Sequence, residues 1–219
     1  MILVPVSNWL AAEIRKSFLR DVAMQVIHNG IDTDVFQFTD TDKARLRFDG
    51  KTVVLGVASR WNCHKGLKDF LQLRKLLSAE YIIVLIGVNK KQIETLPEGV
   101  IGVQRTNNIQ ELVEYYSMAE VFVNPTWEDN FPTVNLEALS CGTPVVTYKT
   151  GGSVEAIDKE TGYVVEKGDV QGLVDRIDEI CRAGKKTYMK ACRNRVTQFF
   201  DKNDRYTEYL SLYKKLLSQ

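Results

Sequence analysis

The chain has little of what would mark an exported, membrane-spanning or nucleic-acid-binding protein. Its longest apolar run, Tyr81 to Val88, is far below the roughly 18 residues that a spanning helix requires, and reads as a buried strand. No basic segment followed by an apolar stretch and a small-residue cleavage site opens the sequence, so nothing suggests export. Four cysteines (Cys63, Cys141, Cys181, Cys192) form no CxxC pair and no even ladder, which excludes a disulfide scaffold and leaves them as apolar fillers in a reducing compartment. Charge of one sign is also lacking: 29 Lys and Arg against 28 Asp and Glu leave a net +1, too little to draw in nucleic acid or an anionic membrane by a global field. Any anion site must therefore be local. Neither low-complexity tracts nor internal repeats occur, and 44% hydrophobic with 26% charged residues is the balance of a folded globular chain.

What is present is a rhythm. Short β-branched runs (Val53–Ala58, Tyr81–Ile86, Gly99–Val103, Val121–Asn124, Val145–Thr147, Tyr163–Val165) alternate with segments of helical period (Leu67–Leu77, Ile109–Met118, Thr133–Ser140, Val170–Cys181). That alternation predicts βαβ units and a doubly wound, Rossmann-like parallel sheet with helices on both faces. In such sheets ligands gather in the loops at the carboxyl ends of the strands. The two ends depart from the pattern. Asn8–Leu19 reads as helix and Ala23–Ile27 as strand, followed by the turn His28-Asn29-Gly30-Ile31-Asp32. Two extra helical segments, Lys185–Phe200 and Asp204–Leu217, close the chain, and at least one is expected to lie across a neighbouring domain.

The first candidate site follows the strand Val53–Ala58. Arg60 and Lys65 lie on a strand-to-helix loop with Gly66 opening the next helix, so they can converge on one anion such as a diphosphate, the guanidinium as a fork and the ammonium as a point charge. The plainer alternative is two solvated surface cations. His64 beside them has no ligand partners that would argue for a metal or a general base.

The second candidate runs from Asn124 to Pro144. Pro132 can start a helix, Gly142 can stop it and Pro144 prevents its continuation, which predicts a short helix over Thr133–Ser140. Its N-terminus carries about half a positive charge, suited to a phosphate or a sugar hydroxyl. Glu137 falls one turn inside on the face of Thr133, where a carboxylate can accept two hydrogen bonds from vicinal ribose hydroxyls. A lone mid-helix Glu is otherwise a solvated charge, but its neighbours Val134, Leu136, Ala138 and Leu139 argue for a buried helix.

These motifs resemble those of the retaining glycosyltransferases with the GT-B fold. Asp129-x7-Glu137 followed by Ala-Leu-Ser-Cys-Gly-Thr-Pro is similar to their Glu-x7-Glu motif, and Arg60-x4-Lys65-Gly66 to their donor diphosphate clamp. His28-Asn29-Gly30-Ile31-Asp32 with Phe36 resembles their interdomain link, and Thr150-Gly151-Gly152-Ser153-Val154-Glu155 a later Gly-rich turn. The ordered matches run from about residue 4 to 180.

The resemblance implies a C-terminal, donor-binding half. Residues 1–30 would be the tail of an acceptor domain, 31–200 the nucleotide-sugar domain, and 201–219 a helix crossing back. It assigns Arg60 and Lys65 to the diphosphate, Glu137 to the ribose, and Asn130, Phe131, Pro132 and Thr133, with Gly151 and Gly152, to the cradle of the donor. Asp129 stands where the family has its first Glu, and Glu128 is the other claimant. The implied reaction transfers a hexose from UDP-sugar, or second GDP-sugar, to a glycan or lipid-linked acceptor with retained configuration. It uses no cofactor and no metal, and no Asp-x-Asp pair is positioned for a metal bridge. The expected location is the cytoplasm, with peripheral membrane contact through the basic stretch Arg182, Lys185, Lys186, Lys190, Arg193 and Arg195 as one reading and a solvated helix face as the other. Two rivals remain: a GT-B-like nucleotide-sugar epimerase, and a non-catalytic α/β interaction module.

Overall fold

The computed structural model describes residues 1–40, 48 and 50–218. Strands β1 (Ile2–Leu3) and β2 (Ala23–Met24) pair in parallel around α1 (Asn8–Arg15), apart from the main sheet. Helix α1 ends four residues before the sequence periodicity does. Ser17 turns back to donate to the Ile14 carbonyl (2.7 Å) and accept from Leu19 N (3.1 Å), a local competition that closes the helix.

The main sheet has six parallel strands: β3 (Thr52–Val57), β4 (Tyr81–Ile86), β5 (Val100–Val103), β6 (Val121–Asn124), β7 (Val145–Tyr148) and β8 (Gly162–Val165), in the spatial order β5-β4-β3-β6-β7-β8. Val54, Leu55, Ile83, Val84, Leu85, Val121, Phe122 and Val123 are fully buried, as continuous apolar strands covered on both faces must be. Helix α2 (Leu67–Leu76) and the four-residue α3 (Lys90–Ile93) follow β3 and β4. Helices α4 (Ile109–Met118) and α5 (Thr133–Ser140) precede and follow β6, and α6 (Val170–Ala183) follows β8. Helix α6 packs on α2 over one face, while α4 and the long α7 (Lys186–Phe199) pack on α5 over the other. The chain winds from β3 outward through β4 and β5, then returns to β6 beside β3 and winds the other way. That reversal between β3 and β6 is the topological switch point, where a crevice opens at the strands' carboxyl ends.

A last helix, α8 (Lys202–Leu217), starts where the chain recrosses the His28–Asp32 turn: Ile31 N donates to Phe200 O (3.0 Å), and Lys202 N donates to Ile31 O (2.9 Å). Along α8, Leu212 is buried, while Tyr206, Leu210, Tyr213 and Leu217 are exposed at helical spacing. The basic stretch of α7 is less of a patch than its sequence suggests. Lys185 is buried and caps the carbonyls of Tyr116, Ser117 and Ala119, Arg193 donates to Phe36 O (2.7 Å), and Arg195 donates to Ala156 O and to Asp158. Arg182, Lys186 and Lys190 keep exposed positions. Among the described residues no helix is long and apolar enough to cross a membrane.

Candidate functional site

Two loops, one after β3 and one after β6, meet over the switch point. In the first, a single 3-10 turn (Cys63–Lys65) is capped by the Asn62 side chain, which accepts from Lys65 N at 3.0 Å. Gly66 ends that turn in the left-handed region (φ 75°) and touches the second loop so closely that a Cβ there would lie 2.2 Å from Pro125 O. Trp127 N and Thr126 Oγ1 both donate to His64 O, at 2.7 and 3.2 Å, so the loops are tied into one rim.

Helix α5 rises from this rim with Pro132 before it and no side-chain cap; Asn135 N donates to Pro132 O (3.2 Å), and the amides ahead of it in the first turn have no side-chain cap at the crevice. A buried polar network sets its position. Asn124 Nδ2 donates to Asn135 Oδ1 (2.8 Å), Asn135 Nδ2 donates to Ser153 O and Oγ (3.2 Å each), and Thr147 Oγ1 donates to Asn124 O (2.9 Å). Such groups are costly to bury unless every partner is met, so the network fixes one orientation of the helix on the sheet. Sequence reasoning assigned these four residues no role. The available signal was Asn135, a polar residue flanked by the apolar Val134 and Leu136.

The crevice holds a cavity of about 460 Å³. Lys65, Asp129, Phe131, Pro132, Thr133 and Glu137 all line it, joined by Asn29 from the His28–Asp32 turn and Asn124 at the end of β6. Lys65 Nζ lies 2.5 Å from Asp129 Oδ2, with both side chains partly shielded from solvent. Glu137 accepts from Tyr116 OH at 2.8 Å. Burial raises its pKa above the ordinary carboxylate value, and hydrogen bonds from Tyr116 and from Thr133 offset only part of that rise. Tyr116 is itself fully buried, a partner for Glu137 that no local motif announced.

Other predicted residues lie apart. Arg60 is exposed and does not line the cavity, although its neighbours Ser59 and Trp61 do. Of the two adjacent carboxylates, Asp129 faces Lys65, whereas Glu128 turns outward, 3.5 Å from His64 Nδ1. Asn130 and Gly151 border a neighbouring cavity that shares Asp129. Gly151 (φ 50°) approaches so closely that a Cβ would sit 1.9 Å from Asp129 O, and Gly152 N donates to that same carbonyl at 3.2 Å. Phe131 lines the cavity from within a ring cluster, 5.0 Å from His28 and 5.6 Å from Phe200 between centroids. His28 Nε2 meets Glu155 Oε2 at 2.8 Å, and Glu155 also accepts from Asn8 N and Trp9 N, which clasps α1 to the Gly-rich turn. Burial works to raise the Glu155 pKa, but these hydrogen bonds outweigh it and the carboxyl is held below its ordinary value. Among the described residues no group of three or more His, Cys, Asp or Glu side chains is placed to hold a metal ion.

Comparison with known proteins agrees with this architecture. The family model described as glycosyl transferases group 1 matches residues 38–197. The capsular polysaccharide biosynthesis glycosyltransferase CapM of Staphylococcus aureus is 25% identical over 206 residues, covering 87% of this chain and 54% of that protein. The N,N'-diacetylbacillosaminyl-diphospho-undecaprenol alpha-1,3-N-acetylgalactosaminyltransferase of Campylobacter jejuni is 26% identical over 181 residues, covering 78% of this chain and 47% of that protein. The chain thus spans about half the length of the curated relatives it matches. Among solved structures, sucrose-phosphate synthase from Thermosynechococcus elongatus superposes with a TM-score of 0.87 at 24% identity, over 99% of this chain and 58% of that one. HepE of Anabaena in complex with UDP-glucose superposes with a TM-score of 0.84 at 18% identity, over 98% of this chain and 64% of that one. The fold is that of the GT-B glycosyltransferases.

Proposed function

Because this chain belongs to the glycosyl transferases group 1 family, we propose that it is the nucleotide-sugar-binding half of a retaining hexosyltransferase, with UDP-sugar as first donor and GDP-sugar as second. The observation that carries this reading is the single cavity at the switch point where an ammonium, the tip of a helix and a set-back carboxylate converge: Lys65, Thr133 and Glu137. A nucleoside diphosphate has chemistry for each. Glu137 accepts the vicinal hydroxyls of the ribose. The diphosphate lies between Lys65 and the first-turn amides of α5.

In the reaction the bond from the anomeric carbon to the phosphate oxygen breaks, and negative charge accumulates on the departing diphosphate. Groups already fixed around those oxygens lower the barrier because they need not reorganise as charge builds. Lys65 and the α5 tip supply this stabilisation from the protein itself, without a divalent metal. Arg60, exposed between the lining residues Ser59 and Trp61, joins them by turning inward when the donor binds. Asp129, released from Lys65 as the phosphates arrive, is free to accept from a hydroxyl of the donor sugar. The acceptor is a glycan or a lipid-linked saccharide, as the names of the Staphylococcus and Campylobacter relatives suggest. A preceding domain supplies most of its pocket, and the exposed stripe of α8 lies toward that domain.

A thermal-shift panel of UDP, GDP, ADP and CMP with their sugars tests the donor site. A ligand binding only the folded state at a hundred times its Kd stabilises by about 2.7 kcal/mol. UDP or GDP should raise the transition temperature, and indifference to every nucleotide would sink the proposal.

A further inference from the structure

Beside the donor cavity, and sharing Asp129 with it, lies a second cavity of about 480 Å³. Of the chain's tryptophans, Trp61 is buried, while the other two, Trp9 from α1 and Trp127 from the loop after β6, are 39% and 37% exposed and line this one cavity together. A large indole left open to water on a folded surface forgoes burial, and two on one rim make a recognition feature.

The Trp127 indole is held in place, and Trp9 is fixed at its backbone. The Trp127 indole N–H donates to Asp69 Oδ2 (2.9 Å), a buried carboxylate that also accepts from Tyr148 OH (2.8 Å), and the Tyr148 ring stands edge-on to the indole. Trp9 is anchored through its backbone N–H, which donates to Glu155 Oε1 at 2.8 Å. Trp127 thus presents apolar area with little rotamer entropy to lose on binding, and Trp9 has only two side-chain torsions to fix. The polar groups between them include Glu128, Asn130 and Lys149. Two cations on the rim balance the two carboxylates that line the cavity, Glu128 and Asp129: Lys149 pairs with Glu166 at 2.8 Å, and Lys167 lies 5.1 Å above the Trp127 ring. Flat apolar platforms ringed by donors and acceptors of balanced charge fit a neutral polyol with C–H faces, and fit neither a phosphate nor an apolar chain.

We propose that the cavity between Trp9 and Trp127 binds a saccharide unit of the acceptor, placing it next to the donor sugar across Asp129. This rests on the reading of the adjoining cavity as the donor site. Part of the acceptor platform therefore belongs to the donor-binding half.

The test titrates the full chain with maltotriose, cellotriose and chitotriose over the millimolar range, followed by tryptophan emission and by the indole N–H resonances, with and without saturating UDP. At least one saccharide should perturb Trp9 and Trp127 but not Trp61, and should do so equally when UDP is bound. Trp9→Ala, which leaves the Asp69 hydrogen bonds intact, and Trp127→Ala should each weaken saccharide binding by about tenfold or more. Trp127→Phe should recover part of it, and UDP affinity should stay within about twofold throughout. No response to any saccharide while UDP binds, saccharide binding abolished by UDP, or undiminished binding in Trp9→Ala would overturn the proposal. Saccharide binding without nucleotide binding would support the platform and remove the donor reading instead.

Discussion

Lys65 already has an anionic partner, so a diphosphate entering the cavity competes with Asp129 for the same ammonium. Opposite mutations should therefore move nucleotide affinity in opposite directions. Lys65→Ala should weaken UDP binding by roughly ten- to a hundredfold, the worth of a charge-assisted hydrogen bond of about 1.5–3 kcal/mol. Asp129→Asn should tighten UDP itself by a few-fold at most, because the pair it releases is only partly buried. Isothermal titration of both variants decides this: unchanged affinity in Lys65→Ala would detach Lys65 from the phosphates, and a fall in Asp129→Asn would remove the competition between Asp129 and the diphosphate. Glu137 makes a second prediction. Its folded pKa is raised, so the folded state prefers the protonated acid, and its contribution to stability is lost as pH rises from the ordinary carboxylate range through that raised value. The ionised form is the one that accepts two ribose hydroxyls. UDP affinity should therefore fall on acidification at a pH above that of an ordinary Glu, and Glu137→Gln should bind weakly with that pH dependence gone. Lys65, Thr133 and Glu137 were legible in the sequence because loop position and helix register decide where they point. Arg60, and the choice between Glu128 and Asp129, were not, since adjacent residues on an irregular loop take directions that only the opposing loop sets.

Gly66 carries the contact between the two loops. In Gly66→Ala, a left-handed backbone costs about 1–2 kcal/mol, and the new Cβ collides with the Pro125 carbonyl as well. Denaturant unfolding should show a loss of at least about 2 kcal/mol. UDP affinity should fall too, because Lys65 and Pro125 can no longer hold their separation. A stability unchanged from the parent would mean that the rim is not rigid. Element boundaries followed the apolar pattern closely: Tyr81–Ile86, Ile109–Met118 and Thr133–Ser140 have the limits that their periodicity predicts. The pattern missed α3, four residues capped by an Asn89–Gln92 box and too short to show a period. It also overran α1, where Ser17 rather than hydrophobicity ends the helix.

At the scale of the molecule, the proposal is that these residues hold a donor and lack most of an acceptor site. Incubated with UDP-sugar and saccharide acceptors, the chain alone should bind nucleotide and transfer nothing; robust transfer would refute the half-enzyme reading. Incubation of the complete protein with donor alone separates a transferase from an epimerase, because an epimerised sugar appears only in the second case. Local chemistry along the chain determined the βαβ alternation, the short helix behind Pro132, the glycines at the tight turns and the residue types able to meet a diphosphate and a ribose. Strand order was beyond it. The same alternating pattern is compatible with several windings of a parallel sheet, and only the packed sheet, by seating β6 against β3, brings Lys65 to Asp129. The same packing turned Lys185, Arg193 and Arg195 from an apparent basic face into internal caps and gathered Trp9 and Trp127 on one rim. Contacts between residues far apart in sequence depend on which apolar faces bury one another, and a one-dimensional pattern states that a face is apolar without stating what covers it.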